Sequence, residues 1–239
     1  MSEQFEKPEI REVGKDPGGQ PIYSDRRLFV QFLAFGDVLD LEPLKEALAA
    51  TAFEYALFAD VNDARGAGLV VVHTDPAFFV DELRPFLLKA PFVDLTPKPE
   101  FTMFGRTYAI GYEHDLEQVL VNRTRQRVMD PKHGWVVWYP LRRSGAFSQL
   151  DHKTQMSILG EHGTIGRSYG EADLAQDIRL ACHGLDKNDN DFVIGVVGQE
   201  LMPLSHLVQR MRSTVQTSQY IERLGPFFVG KVVAQAPWA

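Results

Sequence analysis

The sequence predicts an α+β fold of two tandem ferredoxin-like halves, of the dimeric α+β barrel type. Short runs of β-branched and aromatic residues alternate with amphipathic helical runs. Their order is strand, helix, strand, strand, helix, strand, the split βαβ order, and it occurs twice, in pattern and not in letters. At 239 residues, 44% hydrophobic and 24% charged, the chain can also bury a sizeable core. Two such halves pack sheet to sheet with their helices outside. The expected division is an N-terminal arm over 1–27, a first half over 28–130 and a second half over 131–239.

Met1 to Asp25 are polar and rich in Gly and Pro (KDPGGQP), which reads either as a disordered tail or as an arm laid on a neighbouring subunit. Leu28–Phe35 is the first strand of the first half. Asp40-Leu-Glu-Pro opens a helix with Pro43 in its first turn and Leu44, Ala47 and Leu48 on one face. Tyr55–Val61 and Leu69–His73 are strands joined by the turn-like NDARGAG. A second helix from Asp75-Pro76 carries Phe78, Phe79, Leu83 and Leu87 and stops at Pro91. Phe101–Tyr112 is the fourth strand.

The second half repeats the order. Trp135–Tyr139 suits a pleated, half-buried surface, and Pro140 is expected to end it. A helix over Asp151–His162, capped by Asp151 or Ser148, turns Ile158, Leu159 and His162 inward and closes at Gly163. Asp177–Cys182 and Phe192–Val197 are strands. Pro203 to Thr214 form a helix with Leu204, Leu207, Val208 and Met211 inward, and Phe227–Val233 is the last strand.

A net charge of −7 offers no basic excess for nucleic acid, although Arg123, Arg125 and Arg127 cluster locally, as do Arg142 and Arg143. The one cysteine, Cys182, cannot form an intrachain disulfide, and Cys182-His183 lacks the second cysteine of a c-type haem attachment. The opening MSEQFEKPEI has no apolar core and no run approaches a membrane span, so a soluble cytoplasmic protein is expected. The seven histidines show no zinc spacing, and no nucleotide loop or GxSxG elbow occurs.

What remains is the stretch Trp135–Tyr169, where a tyrosine, two arginines and one imidazole surround an apolar helix face. That composition suits a flat, apolar, anionic cofactor. A lone histidine is usually a packing residue, but a porphyrin supplies four nitrogens and needs only one axial ligand from the protein.

The segments WYPLRR, LGEHGTIGRSY and GPFFVGKVV resemble the chlorite dismutase-like haem proteins, most nearly their coproheme decarboxylase branch. The resemblance implies His162 as proximal iron ligand and Tyr139 as catalytic tyrosine. It implies porphyrin contacts from Arg125, Tyr139, Pro140, Leu141, Arg142, Arg143, Gln176 and Thr217. Leu141, Arg142 and Arg143 stand where the family usually has Met and Lys; arginine still binds a carboxylate but does not donate a proton as lysine does. The distal residue is Gln176 counted forward from His162, or Arg179 counted back from Asp191-Phe192, with Tyr139 favouring Gln176. The implied activity is peroxide-dependent decarboxylation of iron coproporphyrin III to haem b by a homopentamer. The alternatives are a chlorite dismutase-like or peroxidase-like enzyme, or a haem-binding protein without catalysis.

Overall fold

The computed structural model describes residues 7–237. A hairpin comes first, β1 (Glu12–Lys15) and β2 (Pro21–Ser24). The first half contains β3 (Phe29–Gly36), α1 (Glu42–Ala49), β4 (Glu54–Asp60) and β5 (Ala67–His73). Its second helix, α2, is a π-helical turn Phe79–Leu83 that continues as α-helix over Arg84–Leu87. A two-residue strand β6 (Thr96–Pro97) and β7 (Met103–Arg106) complete this half. A linking helix, α3, runs as a π-turn over Gln118–Asn122 and as α-helix over Arg123–Met129. The second half contains β8 (Trp135–Arg143), α4 (Gly145–Ser148), α5 (His152–Glu171), β9 (Gln176–Ala181) and β10 (Phe192–Gly198). It ends with α6 (Leu201–Arg212), α7 (Val215–Tyr220), β11 (Ile221–Leu224) and β12 (Phe228–Gln235).

The antiparallel sheet closes on itself. Its neighbours run β8, β10, β9, β7, β3, β5, β4, β12 and back to β8. Within each half the four strands take the same spatial order, fourth-first-third-second, as the ferredoxin-like unit requires. The halves meet at two seams. The β4–β12 seam is long, whereas β7 and β9 share only the pair Arg106–Ala181.

The barrel is filled by aromatic side chains. Phe32, Trp138 and Phe228 are all 1% exposed, with ring centroids 4.8 Å apart for Phe32–Phe228 and 5.9 Å for Phe32–Trp138. Glycine makes the space for them in equivalent strands of the two halves. A Cβ on Gly68 of β5 would lie 2.5 Å from Phe228 Cζ, and one on Gly195 of β10 would lie 2.8 Å from Trp138. Period-two alternation therefore sends Val136, Trp138 and Pro140 inward and Val137, Tyr139, Leu141 and Arg143 outward, under the helices.

Four sequence expectations need correction. Pro140 does not end β8, because its side of the strand lies at the gap between β11 and β12. Its carbonyl there accepts the Gly225 N–H, so the missing proline donor takes no bond from the β10 ladder. Gly163 does not end α5, which continues to Glu171 because Ile165 and Tyr169 extend the inward stripe. That burial offsets roughly 1 kcal/mol per interior glycine, and the chain turns at Asp173 instead (φ 53°). The strand expected over Phe101–Tyr112 shrinks to β7, since Glu12 and Glu113 carboxylates capture the N–H groups of Ala109 to Tyr112. The described part of the arm is a hairpin on its own chain, held by Arg106–Glu12 at 2.7 Å and by the Lys15 N–H to Glu113 carbonyl bond; residues 1–6 lie outside the described residues.

The arginine-rich segment, read from its charges as a basic cluster, is the helix α3. It contacts both β4 and β9, which stand opposite each other in the ring. Arg125 reaches one side, pairing with Glu54 at 2.8 Å. Arg127 reaches the other, donating to the Asp177 carboxylate at 3.0 Å, to the Gln176 side-chain carbonyl at 2.9 Å and to the Asp177 backbone carbonyl. Glu54 and Gln176 are the first residues of equivalent strands, so α3 is a strut tying the two halves. Arg127→Met should lower stability by about 1.5–3 kcal/mol, the scale of hydrogen bonds to charged groups. A urea midpoint equal to that of the parent would refute the strut.

Candidate functional site

The outer face of the second half's sheet is laid out by register. Tyr139 stands opposite Ile194, which stands opposite Arg179, so these three form one row. The next row is Val137, Val196 and Asp177. Gln176 pairs with Val197 and so belongs to the inner face with Val136. Its side chain is held by Arg127 and donates to the Gly170 carbonyl at 3.1 Å.

Over this face lie α5, α6 and α7. Asp151 caps α5, accepting the Thr154 N–H at 3.0 Å, and Gln155, Ile158, His162, Ile165 and Tyr169 form its inward stripe. His162 is half-buried. Its Nδ1 lies 3.4 Å from Thr214 Oγ1, which donates to the Met211 carbonyl at 2.8 Å and lies 3.3 Å from Thr217 Oγ1. Burial, and then the positive charge of Arg179, hold the imidazole below its usual range, so it stays neutral further into acid. A neutral imidazole with Nδ1 oriented and Nε2 free is the state that ligates a metal.

Tyr139 is 7% exposed, and its ring stacks on Phe227 at 4.5 Å. Burial raises its phenol well above the usual range; Asp177 adds to this and Arg212 opposes it. Arg143, four residues on, sits between the rings of Phe147 (4.4 Å) and Phe192 (5.0 Å). Its Nε is buried and has no hydrogen-bond partner among the described residues. Arg179 pairs with Asp177 at 2.9 Å. Burial would raise the Asp177 carboxyl, but Arg179, Arg127 and Arg123 outweigh it and hold the group below its usual range.

The structure thus brings Tyr139, Leu141, Arg143, His162, Thr217 and Arg179 to one layer between sheet and helices. Four other residues picked out by sequence stand elsewhere. Pro140 faces the barrel, and Gln176 sits at the barrel's α3 end. Arg142 is an exposed ion pair with Asp189 at 2.9 Å. Arg125 lines a separate cleft of about 460 Å³ with Phe53, His73, Phe78 and Glu82. Sequence reading passed over Asp177, Thr214 and Phe227. Alternation along β9 was the available signal for Asp177, since it separates neighbouring residues onto opposite faces. Cys182 plays no part: burial pushes its thiol up to about 12.

The family model described as Chlorite dismutase matches residues 66–233, more than half of the chain. The chain belongs to the chlorite dismutase family. Solved structures agree in fold. A haem-binding protein from Thermus thermophilus is 18% identical, with a TM-score of 0.68 over 87% of this chain and 92% of that one. A tryptophan variant of the chlorite dismutase from Candidatus Nitrospira defluvii, in complex with cyanide, is 14% identical, with a TM-score of 0.66 over 88% and 92%. A search among curated proteins returns no match.

Among the described residues of this chlorite dismutase family chain, no three His, Cys, Asp or Glu side chains converge as a metal centre. A porphyrin would bring most of a metal's donors with it and need only one nitrogen from the protein. His162 meets that condition, and the orphaned Arg143 Nε, with Arg179, supplies positive charge for an anionic rim. The donor set fits a carboxylated metal porphyrin. No described helix is long and apolar enough to cross a membrane.

Proposed function

We propose that this chain binds an iron porphyrin through His162 and acts as a coproheme decarboxylase, converting two propionates of iron coproporphyrin III to vinyl groups with hydrogen peroxide. The observation that carries this reading is that His162, half-buried on α5, lies close enough to Arg179 and Arg143 to feel their charge, and these share the outer sheet face with Tyr139. Family membership supports it, as does the haem-binding description of the Thermus neighbour.

When bound, the ferric porphyrin supplies the oxidising equivalents from peroxide. Each round turns one propionate, one peroxide and one proton into a vinyl group, carbon dioxide and two waters. Tyr139 serves as the relay, giving up one electron and its phenolic proton and recovering both as a single hydrogen atom from the propionate. Arg143 holds a carboxylate by a charge-assisted bond, and Thr214 fixes the imidazole's orientation. Leu141, Ile194 and Phe227 make the surroundings of the tyrosine apolar, which disfavours water there. By resemblance we also propose a homopentamer, which light scattering of the purified protein would test.

Arg179 in the Tyr139 row favours a second reading, chlorite or peroxide turnover on bound haem with Arg179 as the distal group. The deciding experiment is reconstitution with ferric coproporphyrin, addition of peroxide and mass spectrometry. Two successive losses, each of carbon dioxide and two hydrogens, support decarboxylation; intact porphyrin with chlorite consumed supports the rival.

Two variants test the binding residues. His162→Ala should abolish the shifted absorption of the loaded protein, and an unchanged spectrum would remove the ligand assignment. Arg143→Met should weaken coproheme binding about 10- to 100-fold, as expected for a lost hydrogen bond to a charged group at ~1.5–3 kcal/mol. Unchanged affinity would move the carboxylate elsewhere.

A further inference from the structure

The layer holds a second buried phenol. Tyr169 lies on the inward stripe of α5, two turns beyond His162, and is 6% exposed. Its hydroxyl lies 2.6 Å from Nδ1 of His206 on α6, and the two rings are 5.9 Å apart. His206 itself is exposed, so its other nitrogen meets solvent. Tyr139 is built differently. Among the described residues its hydroxyl makes no hydrogen bond, and burial dominates its phenol.

The contrast matters for one-electron chemistry. An oxidised phenol is a strong acid and must lose its proton at once, so a phenol already bonded to a base is the easier one to oxidise. Tyr169 has that base and a route from it to water; among the described residues Tyr139 has no such base. Both phenols belong to one apolar cluster with Val137, Leu141 and Leu207, so both lie within the same desolvated layer.

We propose that Tyr169 and His206 form a second redox site that takes up an oxidising equivalent left in this layer and holds it as a tyrosyl radical, the phenolic proton passing toward the surface. The proposal rests on the porphyrin reading above for its oxidant, a peroxide-derived equivalent at the bound iron. In the step, Tyr169 loses one electron to that oxidant, which is reduced by one, and its phenolic proton passes to His206 Nδ1. The imidazolium then returns its Nε2 proton to solvent, leaving a neutral tyrosyl radical on α5.

The test uses full-length protein with ring-deuterated tyrosine, frozen for electron paramagnetic resonance after two treatments. In one, coproheme-loaded protein receives peroxide; in the other, porphyrin-free protein is flashed with ruthenium tris-bipyridine and persulfate. The expected radical persists in Tyr139→Phe and vanishes in Tyr169→Phe. His206→Gln keeps a hydrogen-bond acceptor but cannot take the proton, and should cut the Tyr169 signal at least tenfold in both treatments. A signal unchanged in Tyr169→Phe, or undiminished in His206→Gln, overturns the proposal. Should coproheme fail to bind, absorption reports the failure of the parent reading, while the photochemical arm still decides whether His206 makes Tyr169 oxidisable.

Discussion

Tyr139→Phe is expected to slow peroxide-dependent decarboxylation of coproheme by on the order of 10³-fold or more, the scale seen when a reacting group is removed, while the absorption of the loaded protein stays unchanged. The phenol oxygen is the only heavy atom lost. The ring remains stacked on Phe227 at 4.5 Å and 7% exposed, so packing gives no reason for the layer to move. His162 lies on α5 and not on β8, which is why binding and turnover should separate cleanly. The measurement is single-turnover mass spectrometry of porphyrin extracted at timed intervals. A variant that releases carbon dioxide at the parent rate would eliminate Tyr139 as the relay, and Tyr169 would become the candidate phenol.

The largest effect on stability is expected from Phe228→Ala, at about 3–5 kcal/mol, the usual cost of emptying an aromatic site in a core. Phe228 is 1% exposed and meets Phe32 at 4.8 Å, Phe101 at 6.2 Å and Phe58 at 6.3 Å. Its ring lies over Gly68 and Gly230, whose missing side chains leave no group able to swing into the vacancy. Its strand β12 also forms the longer of the two seams between the halves, pairing with β4 on one side and β8 on the other. Urea unfolding should show a lower midpoint with an unchanged slope. A shift below roughly 1 kcal/mol would mean the barrel collapses around the loss and is less rigid than its packing implies.

The strands show how much local pattern can carry. β3, β4, β5, β9 and β10 each lie within two residues of the expectation, because continuous or alternating apolar runs leave few other ways to bury them. The helix α5 was legible in its start, its cap and its inward face. Its end was not, since a glycine stops a helix only when burial beyond it is too small to hold the next turns. The short elements α7 and β11 escaped notice altogether; VQTSQY and IERL carry little hydrophobic signal and exist because β8 offers an edge there. With α3, three arginines hid a helix whose inward residues, Leu116, Leu120, Thr124 and Val128, have helical spacing.

In the candidate site, ending the strand at Pro140 hid the fact that Tyr139 and Arg143 share one face of β8 and Pro140 and Arg142 the other. The distal position was different in kind. Counting from His162 reached Gln176 and counting back from Asp191-Phe192 reached Arg179, and the two differ by an odd number of residues. In a strand that difference puts them on opposite faces. Only pairing with β10 shows that Arg179 shares the row of Tyr139.

Residue order alone thus determined the doubled strand–helix arrangement and the single imidazole on an apolar helix, because these follow from periodicity and side-chain chemistry within one segment. The closure of the ring, the partners of the arginines and the membership of the site were settled only by tertiary structure. Arg125 and Arg127 are two residues apart, yet one pairs with Glu54 and the other with Asp177 on opposite sides of the barrel. Charge and spacing are local properties, whereas the partner of a charge depends on which distant strand the closed sheet brings to it.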